Sequence, residues 1–297
     1  MDAQPSCKLQ HFRLSLNNSK AGDSHLMGVP MDQEKPLPVS SSKPPQFPAE
    51  QEGLFREVIQ LMERERVPVV ISGAFALHEH TGIWRDTKDL DLFLPAEEVG
   101  RALAALQKDG FETEITDPVW LAKARRGDFF VDLITGMSNG VVRVDYTWIR
   151  RASRSQIFGL SARVLAPEEL IASKVFVTRR ERFDGADICH VIYGTRGNFD
   201  WTRLMALMGE HWQMLLWCLV LYQYIYPAHT GYVPQEIWAE LLQRFQVELQ
   251  HPTHGAEFRG SLIDDKMFAI DVAEWGMRDV MDEYRNKAVI IEPRNAA

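Results

Sequence analysis

Cysteine is scarce in this 297-residue chain, which holds three: Cys7, Cys189 and Cys218. Their separations match no metal-binding or redox spacing, so a zinc knuckle or a dithiol centre is excluded. An odd count, with no apolar segment at the start, fits a reducing cytoplasm. Cys189 and Cys218 sit among apolar neighbours and read as buried thiols. Long apolar runs are also missing. The longest, residues 214–222, has nine residues, against the roughly 20 a bilayer crossing needs; it reads as a buried helix, with no membrane association. An excess of positive charge is lacking as well. The net charge of −8 argues against a protein dedicated to packaging nucleic acid.

What the chain does have is apolar content and uneven charge. With 45% hydrophobic residues it can fill one large core or two smaller ones. Residues 121–182 hold 12 Lys/Arg against 6 Asp/Glu, whereas the rest holds 21 against 35. A cationic middle between acidic ends suits an anionic ligand held centrally. The plainer reading is a solvated basic face.

Residues 1–47 read as a disordered leader, with Pro30, Pro36, Pro38, Pro44 and Pro45 and no sustained periodicity. A helix is expected from Pro48 onward, since Leu54, Val58, Leu61 and Met62 recur at spacings of three and four. Pro95, Ala96, Glu97 and Glu98 open another, and Gly110 closes it. Residues 119–124 and 129–134 form two arms of a hairpin around Arg126-Gly127-Asp128, and residues 157–165 a second hairpin around Gly159. Pro167-Glu168-Glu169 starts a helix with Leu170, Ile171, Val175 and Phe176 on one face and Lys174 among them. From Trp201 to Phe245 the pattern is helical and rich in large apolar residues, and residues 267–284 read as one more amphipathic segment.

The chain is organised around residues 69–94, VVISGAFALHEHTGIWRDTKDLDLFL. Val69, Val70 and Ile71 read as a buried strand, Ser72-Gly73 as a sharp turn and Ala74 to His80 as a helix. Asp89-Leu90-Asp91-Leu92 alternates charged and apolar, which on a strand puts both aspartates on one face. Two such close carboxylates repel when ionised unless a cation offsets them. An all-oxygen set suits a hard divalent ion such as Mg²⁺. Asp132, within the apolar run FFVDLI, is a third costly acid. Taken alone it reads as a strand-edge aspartate facing water; Asp145 is the second-ranked rival for a third carboxylate.

This arrangement resembles the nucleotidyltransferase superfamily, which shares its fold with DNA polymerase beta and kanamycin nucleotidyltransferase. The resemblance rests on strand, small-residue turn, short helix and an acidic pair one residue apart. Ser72 stands where the commoner pattern has a first glycine. The approach Gly82 to Lys88, and the phrase LAPEELIASKVFVTRRERFDGADI at 165–188, are similar to the bacterial abortive-infection and toxin-antitoxin branch. The resemblance implies an α+β fold: a mixed β-sheet flanked by helices, with a catalytic domain at 48–195 and a helical C-terminal region at 196–297. It implies that Asp89, Asp91 and Asp132 are catalytic and bind Mg²⁺, as a pair of ions. Ser72, Gly73, Arg85 and Lys174 would bind the nucleotide. Arg182, Asp184 and Asp187 would support the site from behind; the other reading has Asp184 capping the next helix and Asp187 in a surface ion pair. The expected reaction is transfer of NMP from an NTP, ATP being one candidate, to a hydroxyl on a small molecule, RNA or protein, with release of pyrophosphate. Two rivals remain on the same fold: a non-catalytic nucleotide-binding regulator, and an interaction protein paired with an antitoxin-like partner.

Overall fold

The computed structural model describes residues 47–292; the expected leader lies outside the described residues except for Phe47. Helix α1 (Ala49–Arg64) forms as its apolar stripe requires, burying Leu54, Phe55, Val58, Leu61 and Met62, with Glu50 and Glu52 in the first turn and Arg64 in the last. The chain then enters β1 (Val70–Ile71), helix α2 (Gly73–Thr81) and β2 (Asp89–Phe93). Helix α3 (Ala96–Lys108) follows; its C-cap is Asp109, and Gly110, at φ +84°, takes the left-handed position just beyond. Next come β3 (Glu112–Asp117), β4 (Leu121–Arg126), β5 (Phe129–Ile134), helix α4 (Tyr146–Arg151), β6 (Ser153–Ile157) and β7 (Leu160–Val164).

These strands form one mixed seven-stranded sheet in the order β3-β4-β5-β2-β1-β7-β6. Neighbours β3, β4 and β5 run antiparallel as a meander, β5 and β2 are parallel, β2 and β1 antiparallel, and β1 and β7 parallel. The central strands thus come from segments distant in sequence, and the sheet is flanked by helices. Leu90 and Leu92 of β2 are fully buried against the core, so the aspartates between them face the other side.

Helix α5 (Pro167–Lys174) is shorter than the apolar pattern suggests, because Val175 is already its C-cap. A two-stranded ribbon, β8 (Thr178–Arg179) with β9 (Arg182–Phe183), leads to helix α6 (Gly185–Gly194). Helices α7 (Trp201–Met208), α8 (Trp212–Ile225) and α9 (Gln235–Gln250) then form the helical region. The stretch Trp201–Ile225 is long and apolar enough to cross a membrane by length and composition. It is interrupted by a 3-10 turn at Gly209–His211, and Leu204, Met208, Trp212, Leu215 and Leu219 are buried in the core. Those apolar residues are therefore used in packing. Helix α7 is tied to α5 by Arg203, whose Nε donates to the fully buried Glu169 carboxylate at 3.0 Å.

Residues 267–284 do not form a single amphipathic helix. They hold helix α11 (Ala269–Ala273), after α10 (Gly260–Ile263), and the start of α12 (Met281–Asn286). Gly276, at φ +68°, breaks the segment between the two. Cys189 and Cys218 are free and buried, as their neighbours imply.

Candidate active site

The site begins where β1 turns into α2. Gly73 adopts φ +57°, and a Cβ placed there would lie 1.8 Å from Asp91 Oδ2. Only glycine leaves room for that carboxylate against the backbone. The N–H of Ser72 donates to the Asp91 carbonyl at 2.9 Å, stitching the turn to β2. Ser72 is itself buried. The Asp91 carboxylate therefore lies beside the N-terminus of α2, where the helix dipole favours negative charge.

Strand register supplies the third acid. On parallel strands β2 and β5, Asp91 is paired with Asp132 and Asp89 with Phe130. One ligand oxygen from each of Asp89, Asp91 and Asp132 comes within 4.8 Å of the others. Asp132 does not face water at a strand edge: β5 is flanked by β4 and β2, and the residue is 8% exposed. Burial, then repulsion from Asp89 and Asp132, pushes the Asp91 carboxyl up to about 7, although Lys174 and Arg182 pull the other way. Burial also raises Asp132, against the opposing pull of Lys123. Thr87 Oγ1 donates to Asp89 Oδ1. Asp145, the rival acid, instead caps α4, accepting from the N–H groups of Thr147 at 2.7 Å and Trp148 at 3.3 Å.

A second charge cluster lies along the same cavity. Lys174 Nζ is buried and donates to Asp184 Oδ2 and Asp187 Oδ2, each at 2.8 Å. Arg182 donates to both oxygens of Asp184 at 3.0 Å. Burial raises the Asp184 carboxyl, but Arg182 and Lys174 together outweigh it and hold it below its usual range. Arg85 pairs with Asp187 Oδ1 at 2.5 Å, without the angle of a hydrogen bond. Asp187 is thus no surface ion pair, and Asp184, although at the N-cap of α6, makes no side-chain capping bond. The cavity, about 540 Å³, is lined by Ser72, Gly73 and Arg85, by the three aspartates, and by Lys174 and Arg182. The volume falls in the range of small-molecule and cofactor sites.

Lys123 was not singled out by sequence, yet its Nζ donates to Asp132 Oδ1 at 2.9 Å and Oδ2 at 3.0 Å. The signal was present in the hairpin. With Gly127-Asp128 as a two-residue loop, Arg126 pairs with Phe129, and counting back along both arms brings Lys123 opposite Asp132. Arg179, which donates to Ser138 Oγ at 3.1 Å, also lines the cavity; it falls within the 165–188 phrase, where Lys174, Arg182, Asp184 and Asp187 were singled out and it was not.

Comparison with known proteins bears on residues 52–202, which match the family model described as "Nucleotidyl transferase of unknown function (DUF2204)". No curated protein matches the chain. Among solved structures, the chain is similar to the antibiotic-resistance factor ANT(2'')-Ia in solution, at 17% identity and TM-score 0.40, over 59% of this chain and 97% of that one. It is also similar to the lincosamide antibiotic adenylyltransferase LnuA, lincomycin-bound, at 15% identity and TM-score 0.35, over 48% and 95% of the two chains. An antigenic nucleotidyltransferase-like protein from Paracoccidioides brasiliensis is similar at 18% identity and TM-score 0.38, over 62% and 92%.

Proposed function

We propose that this chain, which belongs to the family of nucleotidyl transferases of unknown function, transfers NMP from an NTP to a hydroxyl acceptor in a divalent-ion-dependent reaction. The observation that carries this reading is the convergence of three carboxylates, each with a ligand oxygen within 4.8 Å of the others. Asp91 is pushed up to about 7 there, so its burial and like-charged neighbours are left uncompensated by the protein's own cations. The donor set is all oxygen and anionic, which fits Mg²⁺ better than a softer metal. Asp89 and Asp91 are assigned to hold the ion, with Asp132 as a further ligand. A pair of ions, as the family resemblance implies, would share these three acids. Bound Mg²⁺ supplies charge neutralisation at the phosphates.

The remaining roles fall to the chain. The Gly73 backbone at the start of α2 and the Ser72 hydroxyl are assigned to phosphate oxygens, where N–H groups gather at a helix N-terminus. Arg85, paired with Asp187, and Arg182, paired with Asp184, border the same cavity as further positive charges. Lys174 is anchored between Asp184 and Asp187; it contributes positive potential from that fixed position, and the two aspartates keep it there. Asp132 is assigned to take the acceptor hydroxyl proton. The acceptor oxygen then bonds to the α-phosphorus, the bond from that phosphorus to the bridging oxygen breaks, and the electron pair leaves with pyrophosphate. Residues 48–195 are assigned as the catalytic domain and 196–297 as a helical region beside it. The free, buried cysteines suit a reducing cytoplasm.

The test is incubation of the full chain with each radiolabelled NTP, Mg²⁺ and cell extract. Label should enter one acceptor fraction, be lost with chelator, and be absent with Asp91→Asn. Equal labelling by the Asp91→Asn protein overturns the assignment.

A further inference from the structure

Asp132 lies between opposite charges along one row of the sheet. On the β2 side its register partner is Asp91, and on the β4 side it is Lys123. The Lys123 ammonium reaches both oxygens of Asp132, at 2.9 and 3.0 Å. The backbones of the two residues are held directly opposite by the ladder of β4 and β5. Nζ also lies 5.9 Å from the centre of the Phe130 ring, whose face favours a cation. Asp89 and Asp91 have no protein cation bonded to their side chains at comparable distance among the described residues. The three acids are thus unequal: one already has a counter-ion built into the fold.

We infer that Lys123 is the resident counter-cation of Asp132, and that a divalent ion seeking Asp132 must displace it. The inference rests on the metal-dependent reading above and refines it. A carboxylate offers about four lone-pair positions, and an ammonium astride both oxygens takes the outward-facing ones. An ion bound to Asp89 and Asp91 meets no such competitor. A second ion requiring Asp132 does, and it also meets the repulsion of a neighbouring ammonium. The site therefore fills in order: a first ion at Asp89 and Asp91, then a weaker one whose affinity is set by Lys123. The Lys123 side chain is about one-third exposed, so its ammonium can be solvated when displaced from Asp132. Lys123 is thus a positioning residue that acts through Asp132.

Mn²⁺ titration of the full chain without nucleotide, with free ion followed by electron paramagnetic resonance, tests this. The wild-type protein should bind one ion and a second at least about tenfold more weakly. Lys123→Met should tighten the second step about tenfold or more, while Lys123→Arg, which restores a cation, should leave it weak. Asp132→Asn should remove the second step whichever residue stands at 123. Lys123→Gln repeats the measurement should the methionine protein fail to fold by circular dichroism. Wild-type and Lys123→Met curves that superimpose overturn the inference, as does a second step that survives Asp132→Asn. Absence of Mn²⁺ binding in every protein would instead remove the metal-dependent reading on which the inference stands.

Discussion

Asp91 and Asp132 are register partners on parallel strands, although a helix and two strands separate them in the chain. That pairing brings the third carboxylate to the first two. It predicts that Asp91→Asn lowers nucleotidyl transfer by at least about a hundredfold to a thousandfold, the range seen when one charge-stabilising group is removed. Folding should be undisturbed or slightly improved, since the change removes a repulsive charge. Activity and urea unfolding of the same preparation check both halves.

Gly73 yields a sharper steric prediction. A methyl group there collides with Asp91 Oδ2 at 1.8 Å, on a backbone at φ +57° that side chains rarely adopt. Gly73→Ala should therefore displace the Asp91 carboxylate and weaken Mn²⁺ binding. It should also cost more than about 1 kcal/mol of stability, as expected where the native φ is incompatible with alanine. Unchanged Mn²⁺ affinity would show that the carboxylate can relocate without loss.

Lys174 separates anchoring from phosphate contact. Its ammonium is shared by two buried carboxylates, Asp184 and Asp187. Lys174→Met should cost about 3–5 kcal/mol, because breaking a buried ion cluster leaves charge uncompensated. The melting temperature should fall on the order of 10 °C. A phosphate-contacting lysine with no structural duty would leave thermal unfolding almost unchanged.

The pH dependence follows from Asp91. Its carboxyl is raised from the ordinary range near 4 to about 7 in the fold. In metal-free protein the folded state then holds a proton that the unfolded state has released. Stability from this group is present below about pH 4 and is lost as pH rises toward about 7. Asp132, also raised, adds in the same direction. Urea unfolding at pH 5 and pH 7.5 should show the loss, Asp91→Asn should reduce it, and Mg²⁺ at pH 7.5 should restore stability. A flat profile in metal-free wild-type protein would contradict the buried, mutually repelling trio.

Much of the fold was readable because its signals are local. The stripe Leu54, Val58, Leu61 and Met62 marked α1, alternation around Leu90 and Leu92 marked β2, and Arg126-Gly127-Asp128 marked the turn from β4 to β5. The amphipathic segment at 267–284 is divided between two short helices by a stretch holding Gly276, a break that a stripe of apolar positions does not register.

The amino-acid sequence by itself determined the face shared by Asp89 and Asp91, since a strand has a period of two, and the glycine turn ahead of them. Tertiary structure brought Asp132, which the resemblance ranked above Asp145, within reach of them, because which strands become neighbours depends on burying the whole sheet at once. It likewise decided that Lys174 is spent on Asp184 and Asp187. Charges find their partners across strands and helices only after the core has set the distances, and no local pattern in the chain encodes those distances.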